Sequence, residues 1–289
     1  MPDALQTAVE APCRPLTSTD FAAEMLDIDL GRPLDAAQAA AVRDAFDRHR
    51  MLLFRRQHLS REAHIAFSRH FGELEHHVLS QYLDPKYPEL YVISNVGPDG
   101  KPRGEHPDKG TLWWHTDTSF TRTPSLATIL RGIELASDGG QTWFADMQGA
   151  WDALPEAMKV RITGLRVVHD LAMSRTRSGD LPLTGEQRLR APPVEHPLVR
   201  THPVTGRKGL YMGLHADHVA GMSRQEGRAL LDELLDFATR DRFVYKHTWA
   251  ANELVMWDNR ATLHRATSYD TGRERRIVER TVVRGDVPV

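Results

Sequence analysis

Apolar positions recur with a helical period over residues 35–50 (DAAQAAAVRDAFDRHR), where Ala41, Val42, Ala45 and Phe46 share one stripe. MLLF at 51–54 then reads as a buried strand. Ser60 caps a second predicted helix, REAHIAFSRHFG, which presents Ala63, Ala66 and Phe67 and stops at Gly72. YVISNV at 91–96 is another strand, closed by the turn GPDGK. From residue 111 the pattern turns to strands: TLWWHTDTSF, SLATILRGIEL and, after Gly139-Gly140, QTWFADM. AWDALPEAMKVRITGL is helical and RVVHDL extended. Residues 173–195 carry three prolines and no period, which predicts an irregular lid or binding loop. PLVRTH and KGLYM form a hairpin around PVTGR. Ser223 and Glu226 make a capping box for RQEGRALLDELLDFATR, and FVYKHTW, ELVMWDN and RRIVERTVV are strands. Many strands with few helices between them predict a β-sandwich or jelly roll framed by helices, as one domain over 1–289.

Composition narrows the partners. The 37 basic and 39 acidic residues nearly cancel, so no global field draws in nucleic acid or an anionic membrane, and any anion recognition is local. A single cysteine, Cys13, excludes an intrachain disulfide and a thiolate metal cluster. The opening MPDALQTAVEAPCRPL lacks a basic start followed by an apolar run, and no stretch approaches the ~20 apolar residues of a membrane span, so a soluble cytoplasmic protein is expected.

The 15 histidines hold the candidate chemistry. In a strand, positions i and i+2 face the same way, so His115 and Asp117 in WWHTDTS can converge on one ion, with a third ligand from elsewhere. Two imidazoles and a carboxylate on one face of an octahedral ion leave three positions open, which suits iron(II) that must bind a chelating co-substrate and oxygen together. A second H-x-D, His215 and Asp217 in LHADHV, offers the same ligands but lies between Gly213 and Gly221 in a predicted loop. In RRIVERT, Arg276, Val278 and Arg280 share a face. If that face is interior, each guanidinium needs an anion; if it is an edge strand, Arg275 and Glu279 pair on the opposite side.

FRRQHLSREAHIAFSRHFGELE, VISNVGPDGK, LWWHTDTSF, GGQTWFADMQGAWDALP, HPLVRTHPVTGRKGLY, FVYKHTWAANELVMWDNRATLHRA and RRIVERTVV together resemble the taurine/alpha-ketoglutarate dioxygenase family, and more closely its 2,4-dichlorophenoxyacetate dioxygenase branch. The resemblance implies a double-stranded β-helix, a cupin-like jelly roll with the metal in its mouth, and a dioxygenase that uses Fe(II), 2-oxoglutarate and O2. It implies His115, Asp117 and His264 as metal ligands and Thr142 and Arg276 for the distal carboxylate of 2-oxoglutarate. Arg280, His77 and Asn95 then become substrate contacts, Trp257 a pocket or core residue, and His247 and the HADH segment bystanders. A small anionic substrate is expected, best an aryloxyalkanoate, with sulfonates or amino acids as alternatives, and a homo-oligomer, dimer or tetramer. Residues 97–111 depart from the herbicide-cleaving pattern. Outside the family, the same ligands suit a zinc hydrolase with an activated water or a non-catalytic jelly-roll binding protein.

Overall fold

The computed structural model describes residues 12–76 and 83–289; His77 lies outside them. Its strands are β1 (Cys13–Pro15), β2 (Ala23–Met25), β3 (Met51–Phe54), β4 (Tyr91–Ser94), β5 (Ser125–Glu134), β6 (Thr142–Asp146), β7 (Arg166–His169), β8 (Val194–Pro197), β9 (Val199–Thr201), β10 (Lys208–Leu210), β11 (Ala216–Val219), β12 (Val244–His247), β13 (Leu254–Asp258), β14 (Thr262–Ala266) and β15 (Ile277–Arg284). The helices are α1 (Ala36–His49), α2 (Arg61–Arg69), α3 (Met147–Asp152), α4 (Glu156–Ile162), α5 (Leu171–Ser178), α6 (Gly185–Arg190) and α7 (Arg224–Ala238).

A seven-stranded sheet in the order β1-β2-β3-β13-β5-β15-β4 is the main layer, and β12-β6-β14 is a smaller one. Strand alternation gives the large sheet two apolar faces. Leu52, Phe54, Ile129, Leu254 and Met256 pack with Val42 and Phe46 of α1 and with Ile65 and Phe67 of α2. Met51, Leu53, Leu130, Val255 and Trp257 pack instead with Phe144 of the small sheet. The Phe144 and Trp257 rings lie 5.3 Å apart, so the two sheets close on each other as a jelly roll requires.

Several expectations need correcting. TLWWHTDTSF is no strand: Lys109–Leu112 is a 3-10 turn, His115 makes one isolated bridge, and the chain turns at Asp117–Phe120. Residues 173–195 are not irregular, because Asp170 and Thr184 cap α5 and α6. HADH forms β11 rather than a loop. The buried face of α2 is His64, Ile65, Phe67 and Ser68, while Ala66 is exposed. β15 lies between β5 and β4, so it is interior; Arg275 pairs with Glu134 and Glu279 with Arg61.

Candidate metal centre

His115 and His264 meet because their backbones pair reciprocally: His115 N donates to His264 O at 3.0 Å and His264 N to His115 O at 2.8 Å. Residues directly opposite in such an antiparallel pair project to the same face, and the two imidazole centroids are 4.1 Å apart. The chain then turns at Thr118, a β-branched residue with φ +51°, held by Ser125 N donating to its Oγ1 at 2.7 Å. That turn returns Asp117 to the imidazoles, its carboxylate 3.6 Å from His264 Nε2 and 3.9 Å from His115 Nε2. One ligand atom from each of the three residues fits within a 4.8 Å cluster, and all three are buried.

The donor set fits a divalent transition metal. His115 Nδ1–H donates to Trp113 O at 2.8 Å, which leaves the Nε2 lone pair toward Asp117. Burial, with His115 alongside, pushes His264 well below the usual imidazole range, so it is a neutral ligand at pH 7. Burial would raise Asp117, but Arg280, His264 and His115 hold it below the usual carboxylate range.

Asp117 is braced by residues that sequence reading missed. Asp117 N donates to Asn259 Oδ1 at 3.2 Å; Asn259 Nδ2 donates to Thr128 Oγ1 at 2.9 Å; Thr128 Oγ1 donates to Asp117 Oδ2 at 2.6 Å. Trp257 Nε1 fixes the same Asn259 oxygen at 3.1 Å, and the Trp257 ring lies 4.5 Å from His264. Trp257 thus serves both core and site. The only sequence signal for Asn259 was its place at the end of ELVMWDN.

Two cavities flank the ligands, with Thr111, His115 and Arg280 in the walls of both. One is lined by Thr142, Trp257, His264, Arg276 and Arg280, among others. Arg276 is buried, its Nε has no partner among the described residues, and burial lowers its pKa against only the nearby Tyr269. Gly140 packs directly on it: a Cβ there would stand 3.1 Å from Arg276 Nε. Thr142 Oγ1 accepts from Trp249 Nε1 at 3.0 Å, leaving its own hydrogen to donate elsewhere.

The other cavity is lined by His115, Asp117, Phe120, Leu171, Leu214 and Arg280, among others. Arg280 Nη1 donates to Asp117 Oδ1 at 2.8 Å, so an acid does face this arginine, contributed by the H-x-D turn rather than by its own strand. His215, expected to be a bystander, also lines this cavity, its ring 6.2 Å from His115 and 4.9 Å from Phe120. Asp217 points away and is held by His218 at 2.9 Å and Arg224 at 2.6 Å, so the second H-x-D does not converge on an ion. A further cluster of Asp47, His202 and Asp258 already holds a cation, the Arg260 guanidinium, at 2.7 Å from Asp258.

Asn95 is placed otherwise than expected. Its Nδ2 donates to Thr271 O and Glu274 O at 3.2 and 2.8 Å, and its Oδ1 accepts from Arg276 N at 2.8 Å. With its amide spent on backbone, it anchors the approach to Arg276 instead of facing a substrate. His247 is held by Glu253 at 3.2 Å, in keeping with a structural role.

Residues 12–282 match the family model described as Taurine catabolism dioxygenase TauD, TfdA family. The chain belongs to the TauD/TfdA family. This makes it an enzyme of the dioxygenase class and sets aside the hydrolase and the non-catalytic binding protein. It is 41% identical to an alpha-ketoglutarate-dependent 2,4-dichlorophenoxyacetate dioxygenase of Cupriavidus pinatubonensis, over 96% of this chain and 98% of that one. It is 36% identical to an (S)-phenoxypropionate/alpha-ketoglutarate-dioxygenase of Sphingobium herbicidovorans, over 94% of each. Among solved structures, AAD-2 in complex with Mn(II) and N-oxalylglycine superposes with a TM-score of 0.87 at 38% identity, covering 96% of this chain and 99% of that one. The TauD/TfdA jelly roll therefore extends over nearly the whole length.

Proposed function

We propose that this TauD/TfdA member is an Fe(II)- and 2-oxoglutarate-dependent dioxygenase that hydroxylates a small anionic substrate of the aryloxyalkanoate type. The observation that carries the reading is Arg276: a buried guanidinium with no carboxylate partner among the described residues, in a cavity that opens onto the His115–Asp117–His264 cluster. An unpaired buried cation is costly, so the cavity calls for an anion from outside the chain. Its fork and the free Thr142 hydroxyl hydrogen suit the distal carboxylate of 2-oxoglutarate.

His115, Asp117 and His264 would hold the metal, and the bound metal and 2-oxoglutarate supply the oxidant from O2, with succinate and carbon dioxide as co-products. Arg280, which lines both cavities, receives the acidic group of the primary substrate, while Phe120, Leu171 and Leu214 give an apolar wall for its body. Fixing the acid fixes the distance to the carbon that reacts. When that carbon bears an ether oxygen, hydroxylation gives a hemiacetal that separates into a phenol and glyoxylate. The relatives named above act on such ethers; taurine-like sulfonates are the second choice. A cytoplasmic dimer or tetramer completes the reading.

The test is anaerobic addition of Fe(II) and 2-oxoglutarate, expected to give a weak visible charge-transfer band, then oxygen and a substrate panel scored by succinate. Arg276→Ala is expected to raise the 2-oxoglutarate KM at least tenfold, the order of a lost charge-assisted hydrogen bond. Neither band nor succinate with any aryloxyalkanoate or sulfonate would sink the proposal.

A further inference from the structure

The wall of the substrate cavity contains a second guanidinium, Arg175 of α5. It is 9% exposed. Its Nε donates to Leu181 O at 2.5 Å, a bond to the turn that ends α5, and this fixes a side chain that lines the cavity. No ion pair within the described residues includes it. Arg280, by contrast, has an arm on Asp117.

Besides Asp117, two carboxylates share this wall, and both accept hydrogen bonds from other groups. Asp180 accepts from Ser178 Oγ at 2.6 Å and from Lys109 N at 3.1 Å, which ties the end of α5 to the 3-10 turn at Lys109–Leu112. Asp108 accepts from Tyr91 Oη at 3.2 Å, and burial, with Asp180 near it, raises its pKa above the usual carboxylate range against the pull of Arg280, His115 and Arg175. Arg175 has no salt bridge among the described residues, and its guanidinium, fixed through Nε, can donate to an acceptor on whatever fills the cavity. A chlorinated ring edge cannot supply one; a carboxylate or sulfonate can.

We propose that Arg175 forms a second anion subsite in the substrate cavity, so that the preferred substrate carries two acidic groups, one received by Arg280 and one by Arg175. This rests on the cavity being the primary-substrate site of the oxygenase. Arg175 and Asp180 lie in 173–195, the segment expected to be a lid or binding loop, and Asp108 in 97–111, which departs from the herbicide-cleaving pattern. Their meeting at one cavity makes them the place where specificity diverges.

The experiment compares phenoxyacetates carrying a carboxylate, sulfonate, chlorine or aminomethyl group at ring position 3 or 4. Calorimetric binding to the anaerobic Fe(II)–2-oxoglutarate enzyme and succinate release are both measured. The expected result is a ten- to hundredfold preference for a ring carboxylate or sulfonate over chlorine, the range of one charge-assisted hydrogen bond. Arg175→Gln should collapse the preference to near unity, and Arg175→Lys, which keeps the charge but not the fork, should retain part of it. Equal or better binding of the chloro compounds by the wild type overturns the subsite, as does an aminomethyl preference, which would assign the wall to Asp108 and Asp180. The wild-type comparison stands even if a variant fails to fold. Preferential binding without succinate keeps the subsite and removes the oxygenase reading; succinate without preference does the reverse.

Discussion

Thr128 sits in the middle of β5, yet its hydroxyl bonds the carboxylate of Asp117 at 2.6 Å and is itself fixed by Asn259. Partners of this kind set the direction of a ligand's lone pairs, and losing one commonly costs ten- to hundredfold in metal affinity. Thr128→Val preserves shape and removes only the hydroxyl. Its Mn(II) affinity, measured by calorimetry, is expected to fall at least tenfold, with Thr128→Ser restoring most of the loss; an unchanged affinity would show that Asp117 needs no brace. At this scale the sequence was legible for residue types and poor at direction. His115 and Asp117 were set apart from His215 and Asp217 by a strand-against-loop contrast that the structure reverses, and the place of His215 was not legible either, because strand parity says nothing about the packing of Gly213. A Cβ there would lie 2.9 Å from Trp114 O, and this close approach brings the following residues against the H-x-D segment. Asn95 was misread for a related reason: a polar side chain near a site looks the same in sequence whether it faces ligand or backbone.

Elements with an apolar period were read well, and those whose shape comes from tertiary contacts were not. MLLF, SLATILRGIEL and ELVMWDN carry two apolar faces and appear as β3, β5 and β13. β14, which carries His264, has no apolar period because Thr262, His264 and Arg265 interrupt it; it is recruited by pairing with β6 and with His115. The turn before β6 shows why local chemistry still matters. Gly139 and Gly140 have φ of +73° and +61°, and a Cβ on Gly140 would stand against the Arg276 side chain. Gly140→Ala is therefore expected to cost about 1 kcal/mol from the left-handed backbone and to push Arg276 aside. Chemical denaturation should show that small loss, and 2-oxoglutarate titration a several-fold weaker affinity. Full affinity in Gly140→Ala would mean that Arg276 does not need this contact.

Across the whole molecule, the surplus of histidine has a consequence for stability as well as for metal binding. His64 is fully buried, its Nε2 bonded to Ile129 O at 3.1 Å, and burial lowers it to about 4. Burial, with Arg276 nearby, lowers His106 to about 4, and burial, with His196 beside it, takes His169 well below its ordinary value. Unfolded, each accepts a proton near pH 6.5. Between pH 6.5 and 4 the unfolded chain binds more protons than the folded one, so stability rises with pH there. The contribution is fully present above about 6.5 and is lost as pH falls toward 4; for His64 alone it amounts to about 3 kcal/mol. Glu75 opposes this, since burial raises it to about 7 and its ionisation costs stability as pH rises from its usual range through 7. Asp47, Asp108 and Asp146 are raised by burial too, while His49, His196 and His264 are lowered by it, so six such histidines stand against four such carboxylates and a net loss on acidification is expected. Urea unfolding of the metal-free protein between pH 4.5 and 7.5 should show stability falling below 6.5. His64→Gln, whose amide can still donate to Ile129 O, should reduce that slope by about one proton; an identical slope in the variant would show that His64 is already protonated in the folded state or remains unprotonated in both.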